Sequence, residues 1–345
     1  MEILAYFLII FASAYIGVIV TFILSIIIHE SGHLIFGLTS KYKFVSFRIL
    51  NIMIIKRNEK FSIKRYNIAG TGGQCIMEPM DIIDGKFPVI LYNIGGSLLN
   101  FIFAIIFLIL YFIFKDTSIL KYFLSAFVFW NFFSGLLNII PFKTKLISND
   151  GKNLVEILKN REAFISFWRA LKIISLQSKG INMIDMPKEL FEKPKAEGLQ
   201  NCIIASDSYF YALRLQSEGK FLEMKEYIEE VLSIDSKLNG IYISLLKSEL
   251  IYCKLLLNDV EDIENIIDNK QKAFFKQMKS ELAIIRTQYL LALYYYKDKI
   301  DAEKFLNSFN KYSKNYPFEN LIEEEKELIN KVENFYENTY LEKNM

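Results

Sequence analysis

The stretch IIIHESGHLIFG, Ile26 to Gly37, places two histidines and a glutamate at the end of a long apolar run. From Ile3 to Ile28 no side chain is charged. About 20 apolar residues cross a bilayer, so the run can span one with room for tilt. A secretory signal peptide has a basic start, a shorter apolar core and a small-residue cleavage site. This chain begins Met1-Glu2 and its apolar run continues into the histidines. The pattern predicts a retained transmembrane helix over about residues 3–38. His29 and His33 are the only histidines among the 345 residues. Ionisable groups are costly in such a helix, so their presence points to chemistry.

In a helix, residues i and i+4 share a face, so His29 and His33 can turn both imidazoles toward one ion. Glu30 sits beside His29, about 100° around the helix, within reach of a water at that ion. This is the mechanical sense of His-Glu-x-x-His: two zinc ligands and a general base. Zinc lowers the pKa of a bound water to about 7, and Glu30 can take the proton as the water attacks a carbonyl. Gly32 leaves room for close approach, and Gly37 opens the same helix further. The structural alternative is a histidine pair satisfied by neighbouring carbonyls. Catalytic zinc keeps three protein ligands and one open position. With no third histidine in the chain, the third ligand is expected to be a carboxylate brought by another span.

The composition is 52% apolar with 30 Phe, and mean hydropathy is positive. These values are high for a soluble protein and diluted for one that is all membrane, so a mixed protein is expected. A net charge of +2 gives no argument for nucleic acid or an acidic partner. Cys75, Cys202 and Cys253 are odd in number and form no CxxC pair, which argues against a disulfide framework or a cysteine zinc site. A second span is expected over about 89–114 and a third over about 119–140, joined by a tight turn from Lys115 to Lys121. Basic residues concentrate between Lys41 and Lys86, whereas the 115–121 turn holds Lys115 and Lys121. The basic segment should therefore face the cytoplasm, with the N-terminus outside and everything after Pro141 inside. The Ile-, Lys- and Asn-rich composition suggests an AT-rich bacterial genome and a plasma membrane location.

Between the first two spans, KFVSFRILNIMII and KFSIKRYNI flank the polar turn Lys56–Lys60. Both are rich in β-branched and aromatic residues, which predicts a β-hairpin. The following GTGGQCIMEP, Gly70 to Pro79, has too many glycines for a helix interior. It reads as an extended, approachable edge strand, with an ordinary loop as the alternative. Beyond Gly151 the chain changes to amphipathic helices. Pairs are expected at Ser206–Gln216 and Phe221–Ser233, at Ile241–Leu257 and Val260–Asp268, and at Glu281–Tyr296 and Ile300–Ser313. Their recurrence approaches the period of tetratricopeptide repeats, although the signature residues are mostly missing. A final helix is expected at Glu319–Tyr336. Asn182–Glu197, with Pro187 and Pro194, reads as a linker. Helical solenoids offer a concave surface to partners; a plain helical bundle is the alternative.

The third span ends in LLNIIPFKTKLISNDGKNL, Leu136 to Leu154. At this point the sequence resembles the site-2 protease family, the M50-type intramembrane zinc metalloproteases. That family carries His-Glu-x-x-His on one core span, Gly-Pro-x-x-Asn on the next, and Asn-x-x-Pro followed by Asp-Gly on the third. His29, Glu30 and His33 match the first element. GGSLLN, Gly95 to Asn100, matches the second, with Gly96 and Asn100 kept and Ser97 at the proline. Asn138, Pro141, Asp150 and Gly151 match the third, with Pro141 and Asp150 several residues further apart than in the compact family form.

The resemblance covers about residues 1–155. It implies that Asp150 completes a site for one zinc per chain. It implies that Asn100 helps hold substrate or stabilise the oxyanion, with Asn138 similarly placed; interhelical hydrogen bonding is the alternative for both. Gly72 and Gly73 are candidate substrate contacts on the Gly-rich strand, which could bind substrate by strand addition. The expected fold is mostly α: a polytopic membrane protein with a three-helix site-2-protease core and a small β-hairpin, followed by an α-helical repeat-like soluble domain. The expected boundaries are a metalloprotease core at 1–155, a connecting helix and linker at 156–197, and a cytoplasmic helical domain at 198–345. The implied activity is hydrolysis of peptide bonds in or near transmembrane segments of protein or peptide precursors, with Glu30 as general base. The implied partners are such a substrate, the bilayer, and a protein bound by the helical domain. A membrane-anchored scaffold with a structural or vestigial zinc site stays open. So does a CAAX-processing type of protease, with a later glutamate in place of Asp150.

Overall fold

The computed structural model describes residues 2–57, 59–114 and 118–343. Helix α1 spans Glu2–Thr39, α2 Ile90–Ile113 and α3 Ser118–Ile139. Within them, Tyr15–Thr39, Ile90–Ile113 and Leu120–Ile139 are long and apolar enough to cross a membrane. Lys115–Thr117, in the expected turn before α3, and Asn58 lie outside the described residues.

Helix α1 ends in a local device. Lys41 takes a left-handed φ of 63°. Its N–H donates to the Leu38 carbonyl at 3.0 Å, and the Tyr42 N–H donates to the Gly37 carbonyl at 2.9 Å. These are the two crossed bonds of a Schellman cap, which close off the last carbonyls. Along α1, Thr21, Ser25, His29 and His33 recur every fourth residue and are all buried. Thr21 and Ser25 donate back to α1's own carbonyls, at Gly17 and Phe22 respectively, which satisfies hydroxyls in an apolar helix. The facing stripe of α2 is Tyr92, Gly96, Asn100 and Ala104, again every fourth residue. The two helices meet at Gly32 and Gly95, where a Cβ on Gly32 would collide with the Gly95 carbonyl. Small residues at a crossing let two backbones approach this closely.

Four strands follow α1: β1 Lys43–Ile49, β2 Ile52–Arg57, β3 Lys60–Arg65 and β4 Gly73–Glu78, in the sheet order β3-β2-β1-β4. The run expected as one arm of a hairpin is two strands, because Leu50 turns the chain with φ 52°. β2 and β3 pair antiparallel across Arg57↔Lys60, and β1 pairs antiparallel with β4. The Gly-rich run is therefore a strand, and it lies at a sheet edge.

The chain forms two compact units. The first holds residues 1–49, 72–144 and 148–155, and the second 50–71, 145–147 and 156–345. The β2–β3 hairpin thus belongs with the helical part. There Tyr66 on the strand exit donates to Glu281 at 2.8 Å, and Tyr316 donates to the same carboxylate at 2.6 Å.

Helix α4, Asp150–Lys159, begins in the first unit and ends in the second, which is built on α5 Arg161–Ser178, α6 Cys202–Ser217, α7 Phe221–Ser233, α8 Gly240–Leu256, α9 Ile263–Ile266, α10 Asn269–Gln277, α11 Leu282–Leu290, α12 Lys299–Ser313 and α13 Glu319–Lys343. Instead of a helix over Val260–Asp268 there is the single turn α9, because Asp262 is left-handed at φ 60°. Residues 182–197 are not a free linker. They form short 3-10 turns and bury Met183, Met186, Leu190 and Phe191 against Ile173 and Phe210. At the heart of the unit Arg286 is fully buried and donates to both Glu249 oxygens, at 2.7 and 2.8 Å. A buried charge of this kind is tolerable because it is paired.

Candidate active site

His29 Nε2 and His33 Nε2 lie 3.2 Å apart. Asp150 Oδ2 approaches them at 3.0 Å and 3.2 Å. The helix spacing predicts the first contact, since both rings leave one face of α1 one turn apart. Room for them comes from α2. A Cβ on Gly96 would fall 2.5 Å from His29 Nε2 and 2.7 Å from His33 Nε2.

The far nitrogens fix the chemistry of the near ones. His33 Nδ1 lies 2.7 Å from the Tyr92 carbonyl, which can only accept, so Nδ1 carries the proton. His29 Nδ1 lies 2.7 Å from Asn100 Oδ1. The Asn100 amide is oriented from its other end, where Nδ2 donates to the Ser25 carbonyl at 3.0 Å and to Asn131 Oδ1 at 2.9 Å. Asn131 in turn donates to the Phe127 carbonyl of its own helix at 2.9 Å. Both imidazoles in their neutral form therefore present a bare Nε2 lone pair to a carboxylate oxygen. Three lone pairs at these distances repel unless a cation lies among them. In a tetrahedral zinc site with bonds of about 2.0–2.1 Å, neighbouring ligand atoms stand about 3.3 Å apart. The donor set, its spacing and the protonated outer nitrogens all fit zinc.

Asp150 reaches the histidines despite the long connection from Pro141, because that connection closes on itself. The Asn149 N–H donates to the Phe142 carbonyl at 3.0 Å, and Asn149 Oδ1 accepts from the Phe142 N–H at 3.0 Å. The same Oδ1 accepts from the Lys152 N–H at 2.9 Å, so Asn149 is also the N-cap of α4. Its Nδ2 donates to the carbonyls of Leu137 and Ile140 at the end of α3, at 2.5 and 2.6 Å. The added residues are looped out, and the next one, Asp150, begins α4 beside the end of α3. Asp150 lies outside the spans. Burial pushes its carboxyl up, but the charge and hydrogen bonds that His33 and His29 offer when protonated outweigh this and hold it below the usual carboxylate range.

Glu30 is buried on the neighbouring face of α1, against β4. A Cβ on Gly73 would sit 2.5 Å from Glu30 Oε1, so only glycine leaves the carboxylate its place. Gly72 is exposed just before β4, with Ile26 of α1 nearby. The strand is pinned around these glycines. Arg48, itself buried, donates from Nη2 to the Gly73 carbonyl at 3.3 Å, and the Tyr92 hydroxyl donates to the Cys75 carbonyl at 2.8 Å. Asn100 lies among the three helices with its amide engaged at both ends. Asn138 is half-buried near the end of α3, and its Nδ2 donates to the Ser134 carbonyl at 3.0 Å.

Four contributors to this site carried no sequence signal: Asn131, Asn149, Arg48 and the Tyr92 carbonyl. The last could not have, since any residue supplies a carbonyl. No curated protein and no solved structure matches the chain. A family model does match, that of peptidase family M50, over residues 17–188. Those residues include the first span from Gly17 onward, the whole of the other two spans, the β-strands, and His29, Glu30, His33 and Asp150. By this match the chain belongs to peptidase family M50, the site-2 proteases, a family of zinc-dependent membrane-embedded metallopeptidases.

Proposed function

We propose that this protein cleaves peptide bonds in or near the transmembrane segments of membrane proteins or membrane-bound peptide precursors. The observation that carries the reading is the convergence of His29 Nε2, His33 Nε2 and Asp150 Oδ2, with Glu30 on the adjoining face of the same helix. His29, His33 and Asp150 hold the zinc. Bound there, zinc supplies a Lewis acid that brings the pKa of water down to about 7. Glu30 takes the proton of the attacking water and later returns it to the leaving amine.

A helical substrate keeps its amides in internal hydrogen bonds, so it must be drawn out before attack. The edge strand β4, with Gly72 and Gly73 beside Glu30, can receive it by strand addition. Asn100 orients His29 in this reading. Asn138, at the end of α3, is the remaining candidate for a substrate contact. The distribution of lysine and arginine favours a cytoplasmic location for 41–86 and for the helical domain, with the N-terminus outside. A plasma membrane setting fits, and the helical domain is suited to recruiting a protein partner.

The test is zinc per chain in detergent-purified protein, followed by cleavage of a candidate substrate. About one zinc is expected in the wild type, with loss in His33→Ala and Asp150→Ala. Glu30→Gln should keep the metal and lose cleavage. A folded wild type without zinc would leave a scaffold as the better reading. Zinc retained in Asp150→Ala would return the third ligand to a later glutamate.

A further inference from the structure

The segment that carries the third metal ligand begins and ends in the helical unit. Residues 145–147 before Asp150 and residues 156 onward after it belong to the second unit, while 148–155 belong to the first. The grip before Asp150 is backbone on backbone. The Ile241 N–H, in the first turn of α8, donates to the Leu146 carbonyl at 3.1 Å. Gly240, the first residue of α8, lies so close that a Cβ there would collide with the Lys145 carbonyl. Leu146 also packs on Gly70, whose Cβ would stand 3.5 Å from the leucine side chain. The grip after Asp150 lies on the second half of α4. There Asn201 donates to the Glu156 carbonyl at 3.0 Å, and Ile157 is buried.

The loop from Phe142 to Asn149 therefore has a closed base and a held tip. The base is fixed by the paired Phe142 and Asn149 hydrogen bonds, and Lys143 bridges Ser148 just above it. A loop so closed needs no further support merely to connect α3 to α4. Its tip nonetheless rests on α8.

We propose that the helical domain positions the third zinc ligand, with Gly240 acting as a positioning residue that lets α8 hold the 145–147 tip and thereby sets Asp150 against His29 and His33. This rests on the zinc-site reading above. A metal ligand must be held to within about 0.5 Å of its productive place. Direct hydrogen-bond partners of metal ligands change metal affinity by about 10–100-fold when removed, which sets the scale for a displaced ligand. The residues added between Pro141 and Asp150 thus serve as a handle through which the helical domain acts on the metal site.

The test uses full-length protein in detergent, with zinc affinity read by competition against a chelator. Gly240→Ala adds the colliding methyl. On helix propensity alone alanine is better than glycine by about 1 kcal/mol, so a purely local effect would leave the helical domain as stable or more so. The expected result is zinc binding weakened about tenfold or more, with the thermal unfolding of the helical signal not lowered. A second variant replaces residues 144–147 by the two-residue turn Asn-Gly, which removes the handle and keeps the base. It should weaken zinc binding by itself, and Gly240→Ala should add nothing in that background. Zinc affinity within about twofold of wild type in a folded Gly240→Ala chain overturns the proposal. So does undiminished affinity in the short-turn chain, which decides the matter if Gly240→Ala fails to fold. Wild-type protein that binds no zinc overturns the zinc-site reading as well, whereas wild-type binding abolished by His33→Ala keeps that reading whatever Gly240 does.

Discussion

Replacing Asn100 by alanine separates two roles that an asparagine at this point of α2 can have. In the structure its oxygen accepts from His29 Nδ1 at 2.7 Å, and its nitrogen donates to the Ser25 carbonyl and to Asn131. Asn100→Ala leaves the His29 N–H buried without its acceptor. A buried donor left unsatisfied costs about 1–3 kcal/mol. The ring escapes that cost by rotating or changing tautomer, and either movement takes Nε2 off the metal. At 1.4 kcal/mol per tenfold, the expected weakening of zinc binding is about 5–150-fold. This agrees with the range of about 10–100-fold found when outer partners of metal ligands are removed. The assay is chelator competition on purified wild type and variant, together with cleavage measured across a range of free zinc. Cleavage by the variant should recover as zinc is raised. Zinc affinity within about threefold of wild type, with cleavage lost at every zinc concentration, would refute the orienting role and put the amide on the substrate.

Other variants probe the same architecture. Gly96→Ala places a methyl 2.5 and 2.7 Å from the two Nε2 atoms, so the rings must retreat toward the 3.4 Å of ordinary contact. Zinc loss of at least about tenfold is expected by the same reasoning, whereas Gly17→Ala, with nothing within 4 Å of the new Cβ, should behave as wild type. Asn149→Ala removes the N-cap of α4 and the ties to Phe142, Leu137 and Ile140. The cap alone is worth about 0.5–2 kcal/mol, so zinc binding should weaken, and unchanged affinity would mean that the loop base is held by other contacts. In the helical unit, burial pushes Asp207 up to about 7 against the pull of Arg169, and burial pushes Glu324 up to about 7 as well. The folded state then keeps protons that the unfolded chain has released. The contribution of these two groups to stability should be greatest below about pH 4, fall as pH rises toward 7, and level off above it. In thermal unfolding followed between pH 5 and 7, the stability of wild type relative to Asp207→Asn should fall as pH rises, and a difference that stays constant or rises with pH would contradict the assignment.

Much of this site was legible because its chemistry conflicts with its surroundings. His29, Glu30 and His33 stand in an apolar run with the spacing of one helical turn, and that conflict is itself the signal. The β-strand character of residues 43–65 and the extended Gly70–Pro79 run were legible from residue type. What supports the ligands was not. Asn131 resembles any asparagine in a span until Asn100 is found opposite it. The closure of the 142–149 loop depends on one side chain, Asn149, meeting backbone on both sides. Left-handed residues misled the local reading. Leu50 and Asp262 interrupt runs whose apolar pattern continues across them, because periodicity does not register a backbone reversal at a non-glycine residue. Pro187 and Pro194 suggested a linker, yet the methionines and aromatics between and around them supply a core.

The hydrogen-bond chain from His29 through Asn100 to Asn131 has one member on each of the three spans. The first two spans satisfy His29 and one Asn100 N–H between them, but the acceptor of the other Asn100 N–H stands on the third span, and lipid offers no substitute. During biogenesis, then, the first two spans wait in the membrane with exposed hydrogen-bonding capacity until the third arrives. A chain that stops before α3 therefore carries one buried amide N–H without its acceptor, and the arrival of the third span removes that cost.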